Sequence, residues 1–476
     1  MLLILDVANE IGYDPARVNE QTVGIVSEAI FDTLLETDPE GKLQPSLAES
    51  WTASEDQLSY TFKLREGVVF HDGSSFDSAD VVYTLGRFKD PEVGAPRAAL
   101  LANIQSVVAD DPLTVTVNLA TPQSSILSTL SHISAAILPD GAGDDPEFGK
   151  HPVGTGPFKF KEWVRDQRIR VTANDDYWRS ERPYLDGIDF TFNSDDNARS
   201  AAVRSGDVDF LYQAPAETVD ILKNDASFHI SGEGGYSWHY MVMNPAFEPF
   251  SDVRVRQAIF LALDRSALAV GGLGAGNGEP LNGGFLPASD PAGITEAVWT
   301  QDYDKAADLL KEAGYEDGFS FDILSLSGWA WQNRTMQVLA EQLKPLGITA
   351  NVRIVEPSSM ISSAVGRDYE AMAWSFAPTY SPDERIQQTF VTGAPNNWGD
   401  FSNEEFDRLA TQARQSSDPE EQADLTREAM EIATCEGPYA FLYNYNVYDI
   451  TGSRVHGYES TPLVSYRSLR DVWLEQ

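Results

Sequence analysis

The side chains best suited to holding a solute are concentrated in the second half of the chain. Trp238, Tyr240, Trp329, Trp331, Trp374, Phe376, Tyr380 and Trp398 fall mostly at expected strand ends or in loops. Aromatic faces gathered in a water-excluded cleft bind apolar side chains, sugar rings or cations. Polar groups stand close by in sequence. His239 follows Trp238, Asn396 and Asn397 precede Trp398, and Arg385 offers a planar guanidinium that can neutralise a carboxylate bidentately. Each aromatic has a plainer alternative, core packing, and that is the expectation for Trp51, Trp163, Trp178 and Trp473. A lone histidine at a strand start, such as His239, is more often structural.

The spacings of metal and nucleophilic catalysis are missing. None of the six histidines (His71, His132, His151, His229, His239 and His456) pairs at i,i+4, and there is no H-E-x-x-H. A zinc hydrolase site is therefore not expected. No G-x-S-x-G elbow exists. The Gly271–Gly276 loop fits neither G-x-G-x-x-G nor G-x-x-x-x-G-K-[ST] and reads as a flexible connection. One cysteine, Cys435, excludes an intramolecular disulfide and a cysteine-rich metal centre. Carboxylates are so numerous that no glycosidase pair stands out. Neither a catalytic residue, a metal nor a cofactor is expected.

The elements that must position these residues follow from pattern and composition. With 476 residues the chain is expected to form two or three lobes. The balance of 34 Lys+Arg against 73 Asp+Glu gives a net charge of −39, which repels nucleic acid and anionic membrane surfaces. No stretch reaches the roughly 18–20 apolar residues of a transmembrane helix. The start, Met1 to Asp6, is too short for a signal h-region and reads as a first strand. The chain is thus either cytoplasmic or stripped of a signal peptide.

Polar–apolar alternation marks strands at 58–64 and 114–119, with a helix from Ser78, its expected N-cap, between them. Gly24 to Leu35 reads as a helix. Beyond Val253, helices at 255–263, 303–313 and 332–344 alternate with strands at 319–324 and 348–355, an α/β arrangement. Further helices are expected at 404–414 and 419–434, then an aromatic strand at 439–447.

Several segments together resemble the family 5 solute-binding proteins of bacterial ABC importers, relatives of the dipeptide-, oligopeptide- and nickel-binding proteins. The longest match runs from Leu47-Ala48-Glu49-Ser50-Trp51 through Tyr60–Val68 and Phe70-His71-Asp72-Gly73 to Ser78–Val82. Weaker matches follow in order: Gly154–Phe158, Asp252–Ile259, Tyr303–Ala306 with Leu309–Tyr315, and Phe401-Ser402-Asn403 with Phe406-Asp407.

The resemblance implies a two-lobed α/β periplasmic-binding-protein fold, type II-like, with ligand enclosed between the lobes. Lobe one would comprise about 1–237 plus 446–476, with an inserted subdomain at about 38–155, and lobe two about 238–445. Crossing strands would lie near Tyr240–Asn244 and Tyr443–Asn446. Ligand would bias an open–closed equilibrium, and the closed form would deliver it to the transmembrane subunits of a permease. The protein would be an exported, periplasmic monomer, with no nucleic-acid partner and no chemistry performed on its ligand. The competing class is an exported hydrolase of saccharides or peptides.

The family's ligand segment corresponds to Ala371–Asp383. Peptide-binding relatives carry a tryptophan followed shortly by an aspartate that pairs with the peptide's α-ammonium. The matching position after Trp374 is Ala377, or Pro378 with a slip of one, and Asp383 lies too far along. This departure argues against an ordinary free-N-terminus peptide. It leaves an opine, a modified or cyclic peptide, an oligosaccharide, a cationic metabolite or a nickel chelate.

Overall fold

The computed structural model describes residues 1–6, 12–17, 21–39, 41–232, 236–378, 381–461 and 465–475. The chain divides into two compact units, Met1–Glu233 with Val447–Gln476, and Gly234–Asn446.

The first unit is built on a seven-stranded sheet. The opening strand Leu2–Leu5 lies inside it, parallel to both Gly187–Phe192 and Phe210–Leu211. A separate four-stranded antiparallel sheet contains Ser59–Leu64 and Thr114–Leu119 as its central pair and has its own core around Phe62, Val115 and Val117. The helix between them, Ser78–Arg87, is capped by Asp77, not by Ser78. Asp77 is extended, its carboxylate accepts from Ala79 N at 2.7 Å, and Asp80 reaches back to Asp77 N at 2.8 Å. A carboxylate at the positive helix end satisfies two otherwise orphaned donors.

The first helix spans Gln21–Ile30 and so ends before Leu35. Gly156 N donates to the Ile30 carbonyl at 2.9 Å. A Cβ at Gly156 would sit 2.5 Å from the Ile30 carbonyl carbon, so this turn requires glycine.

The second unit is a six-stranded sheet in the order Gly278–Pro280, Tyr439–Tyr445, Ser237–Met243, Ala371–Phe376, Ser320–Leu326, Thr349–Val355. Its central strand Ser237–Met243 is buried along its whole length. Alternation sends Trp238, Tyr240 and Val242 into one core layer and Met241 and Met243 into the opposite one. The alternating segments of this half fold as Tyr303–Glu312, Ser320–Leu326, Ala330–Leu343 and Thr349–Val355. Gly314 follows the first of these helices with φ +83°, the left-handed conformation that closes a helix.

Candidate functional site

Strand register brings the predicted residues to one end of the second unit's sheet. Ser237 pairs with Tyr445 and Trp238 with Phe376, and Ser320–Leu326 runs parallel to Ala371–Phe376. The start of the central strand and the ends of its neighbours therefore coincide. Trp329 and Trp331 follow the Ser320–Leu326 strand at this same end, the latter on the helix Ala330–Leu343.

One face of this end is an aromatic wall. Trp238 stacks on Tyr240 at 4.5 Å between ring centres and lies 5.4 Å from Phe376. Trp374 meets Trp398 edge-on at 4.6 Å, and Phe376 stacks on Trp398 at 5.9 Å. The Arg385 guanidinium lies over Phe376, 3.9 Å from its centre, and Nη2 donates to the carbonyl of exposed Ala377 at 3.1 Å. Arg385 sits on the helix Pro382–Thr389, which Ser381 caps.

The wall has two depths. Trp238 and Tyr240 are fully buried and form its backing, whereas Trp374 and Phe376 are half-buried. Burial holds the Tyr240 phenol well above its ordinary range, and its hydroxyl makes no hydrogen bond. Asn397, expected to offer directional hydrogen bonds to a solute, is engaged within the protein. Its amide donates to the carbonyls of Val391 (3.1 Å) and Phe401 (2.7 Å). Its oxygen accepts from Phe401 N (2.9 Å) and Tyr439 Oη (2.7 Å). Asn397 is thus a clamp on the loop that presents Trp398.

The opposite face is assembled around His239. Nδ1 lies 2.8 Å from both the Trp374 carbonyl and Ser375 Oγ. Burial pushes the imidazole down to about 3, so the ring is neutral and Nδ1–H donates to the carbonyl. Trp331 meets His239 edge-on at 5.0 Å, lies 5.1 Å from Tyr445 and stacks on Trp329 at 5.7 Å. Trp329 is 39% exposed. The sequence treats Trp238 and His239 as neighbours; the strand turns them to opposite faces. Tyr380 lies outside the described residues. Ser375 and Tyr443 belong to the His239 face and were not singled out from sequence; period-two alternation from His239 was the available signal.

The remaining tryptophans differ in depth. Trp163 and Trp51 pack at the margins of two of the first unit's cores. Trp473, expected in a core, is 44% exposed and stacks on His456 at 4.2 Å. It occupies a short two-stranded ribbon that has only one covered side.

Residues 42–398 match the bacterial extracellular solute-binding proteins, family 5. The glutathione-binding protein GsiB of Escherichia coli strain K12 is 31% identical over 442 residues, covering 90% of this chain and 85% of that protein. The binding protein AgaA of A. tumefaciens R10, solved with agropinic acid, is 28% identical with a TM-score of 0.89, covering 100% of this chain and 98% of that one. DppA of Helicobacter pylori, solved with the peptide STSA, is 25% identical with a TM-score of 0.89 over the same shares. The chain belongs to the family 5 solute-binding proteins of ABC importers, and its fold is the two-lobed fold of that family. Family 5 members bind small ligands such as peptides and deliver them to ABC permeases. No helix among the described residues is long and apolar enough to cross a membrane.

Proposed function

We propose that this importer component captures a small polar solute bearing a carboxylate, peptide-like or opine-like, and that Arg385 receives that carboxylate. The observation that carries the reading is the Arg385 guanidinium over Phe376 and on the Ala377 carbonyl. The resemblance puts a ligand-binding aspartate of peptide-binding relatives at Ala377. Here that position has no side-chain charge and a cation beside it, so the polarity is reversed. A guanidinium in a partly desolvated aromatic setting attracts carboxylate more strongly than one in water. Relatives named for glutathione and solved with agropinic acid fit such a ligand.

Trp374 and Phe376 supply the planar contact surface, with Trp398 behind them. Trp329 and Trp331 supply a second contact from the other face. Trp238, Tyr240, His239 and Asn397 hold these groups in place. The protein acts by binding alone, as an exported periplasmic monomer that closes its two lobes on the ligand and hands it to the permease.

The test is calorimetric titration of refolded, ligand-stripped protein with short peptides, N-blocked peptides, opines, oligosaccharides and nickel–histidine. Acidic opines or N-blocked peptides are expected to bind. In Arg385→Ala their affinity should fall by about tenfold or more, with a smaller loss for neutral analogues. Tight binding of ordinary dipeptides, unchanged in Arg385→Ala, would overturn the reading.

A further inference from the structure

We propose that the first unit contains a second binding site, for a small oxyanion, in an arginine-lined groove. The groove has a volume of about 530 Å³ and is lined by Arg65, Arg179, Arg182 and Arg470 with Trp178, and also by Glu181 and Asp471. In a chain of net charge −39, other surface cations form single pairs, such as Arg168 with Glu162 and Arg353 with Asp322. Here four guanidiniums converge.

The groove is preorganised. The Trp178 indole donates to the buried Asp32 carboxylate at 2.9 Å, which fixes the ring. The guanidiniums of Arg65 and Arg179 both lie over that ring, each 4.4 Å from its centre. Stacked guanidiniums keep their N–H edges pointed outward from the aromatic face. Arg182 is oriented in the same manner over Tyr184 at 4.0 Å, while its Nε donates to Asp471 at 2.5 Å.

The protein's own anions are shared among these cations. Glu36 is one carboxylate facing two cations, bidentate to Arg470 at 2.9 Å on each oxygen and 2.8 Å from Arg179 Nη2. Arg65 donates Nε–H to the Ser46 carbonyl at 3.2 Å, and its nearest carboxylate, Glu49, is 3.6 Å away. The Arg179 Nε is buried and makes no hydrogen bond. Four guanidiniums, three of them already paired with Glu36 or Asp471, thus line one solvent-open space. A tetrahedral oxyanion such as phosphate or sulfate offers several acceptors at once and matches the forked geometry.

The experiment is calorimetric titration of the full chain with inorganic phosphate and with inorganic sulfate. Both are kept at constant ionic strength against chloride and below concentrations that stabilise proteins by general exclusion. Saturable binding to the wild type is expected, weakened about tenfold or more in Arg65→Gln and in Arg182→Gln and unchanged in Arg353→Gln. Absence of saturable heat with the wild-type protein would overturn the site, whatever the variants do. So would equal affinity in folded Arg65→Gln. Because Arg385 and the aromatic wall are untouched, this result stands or falls separately from the solute reading.

Discussion

The two faces of the second unit's sheet use the same strands for different ends. On one face the residues near the strand ends are large and flat: Trp238, Tyr240, Trp374 and Phe376, with Arg385 laid over the last. On the other, the strand Ala371–Phe376 contributes only the small Ala371, Ala373 and Ser375, beside a buried, neutral His239. The first face gathers planar surface and a cation, the site proposed for the solute. The second lets the helix Ala330–Leu343 come close, as the Trp331–His239 contact shows. Small residues permit close packing and large ones occupy volume, so one alternating strand can serve a core on one side and a site on the other.

Substitutions can break this division. The largest effect is expected from Trp238→Ala. Removing a fully buried tryptophan from the backing of the wall should cost about 3–5 kcal/mol. Hydrogen exchange of the Ser237–Met243 strand would read that loss. Trp374→Ala should behave in the opposite way, lowering solute affinity by about tenfold or more while stability changes far less. If Trp374→Ala destabilised as much as Trp238→Ala, the two-depth description of the wall would be wrong.

The His239 face sharpens the comparison through pH. The folded imidazole titrates at about 3, below the ordinary histidine value of about 6.5 in the unfolded chain. The stability it permits is present above about 6.5 and is lost as pH falls toward about 3, with a slope of about 1.4 kcal/mol per pH unit. His239→Gln should remove this part of the slope in urea denaturation at pH 4.5, 5.5 and 7 (roughly spanning the window).

Asp449 in the first unit is the converse. Burial pushes its carboxyl up to about 6, against the lowering effect of hydrogen bonds from Tyr458, Tyr466 and the Gln213 backbone N–H. Its stabilising contribution is present below about 4 and is lost as pH rises through about 6. Asp449→Asn is therefore expected to raise the melting temperature more above pH 7 than near pH 4 (both values approximate). Equal shifts at both ends would contradict a carboxylate whose burial outweighs its hydrogen bonds.

Much of the architecture was legible in the sequence. Alternation and helical spacing marked the second unit's strands and helices; in the first unit Asp77 took the cap expected of Ser78. The aromatic wall was legible as a set of residue types, because Trp238, Tyr240, Trp374, Phe376 and Trp398 do come together. Depth was not legible. Asn397 offers the same amide to a solute or to a loop, and only the positions of Val391, Phe401 and Tyr439 decide between them. The arginine groove left no sequence signal, since Arg65, Arg179 and Arg470 meet only through tertiary packing.

The most direct test is a matched pair: one carboxylate-bearing ligand from the screen and its neutral amide, titrated into wild type, Arg385→Gln and Ala377→Asp. The acid should bind the wild type about tenfold or more tighter than the amide, a preference that Arg385→Gln abolishes. Ala377→Asp, which supplies Arg385 with an internal carboxylate, should abolish it too. Equal affinity for acid and amide in the wild type, or an acid preference that survives both substitutions, would contradict capture of a carboxylate by Arg385.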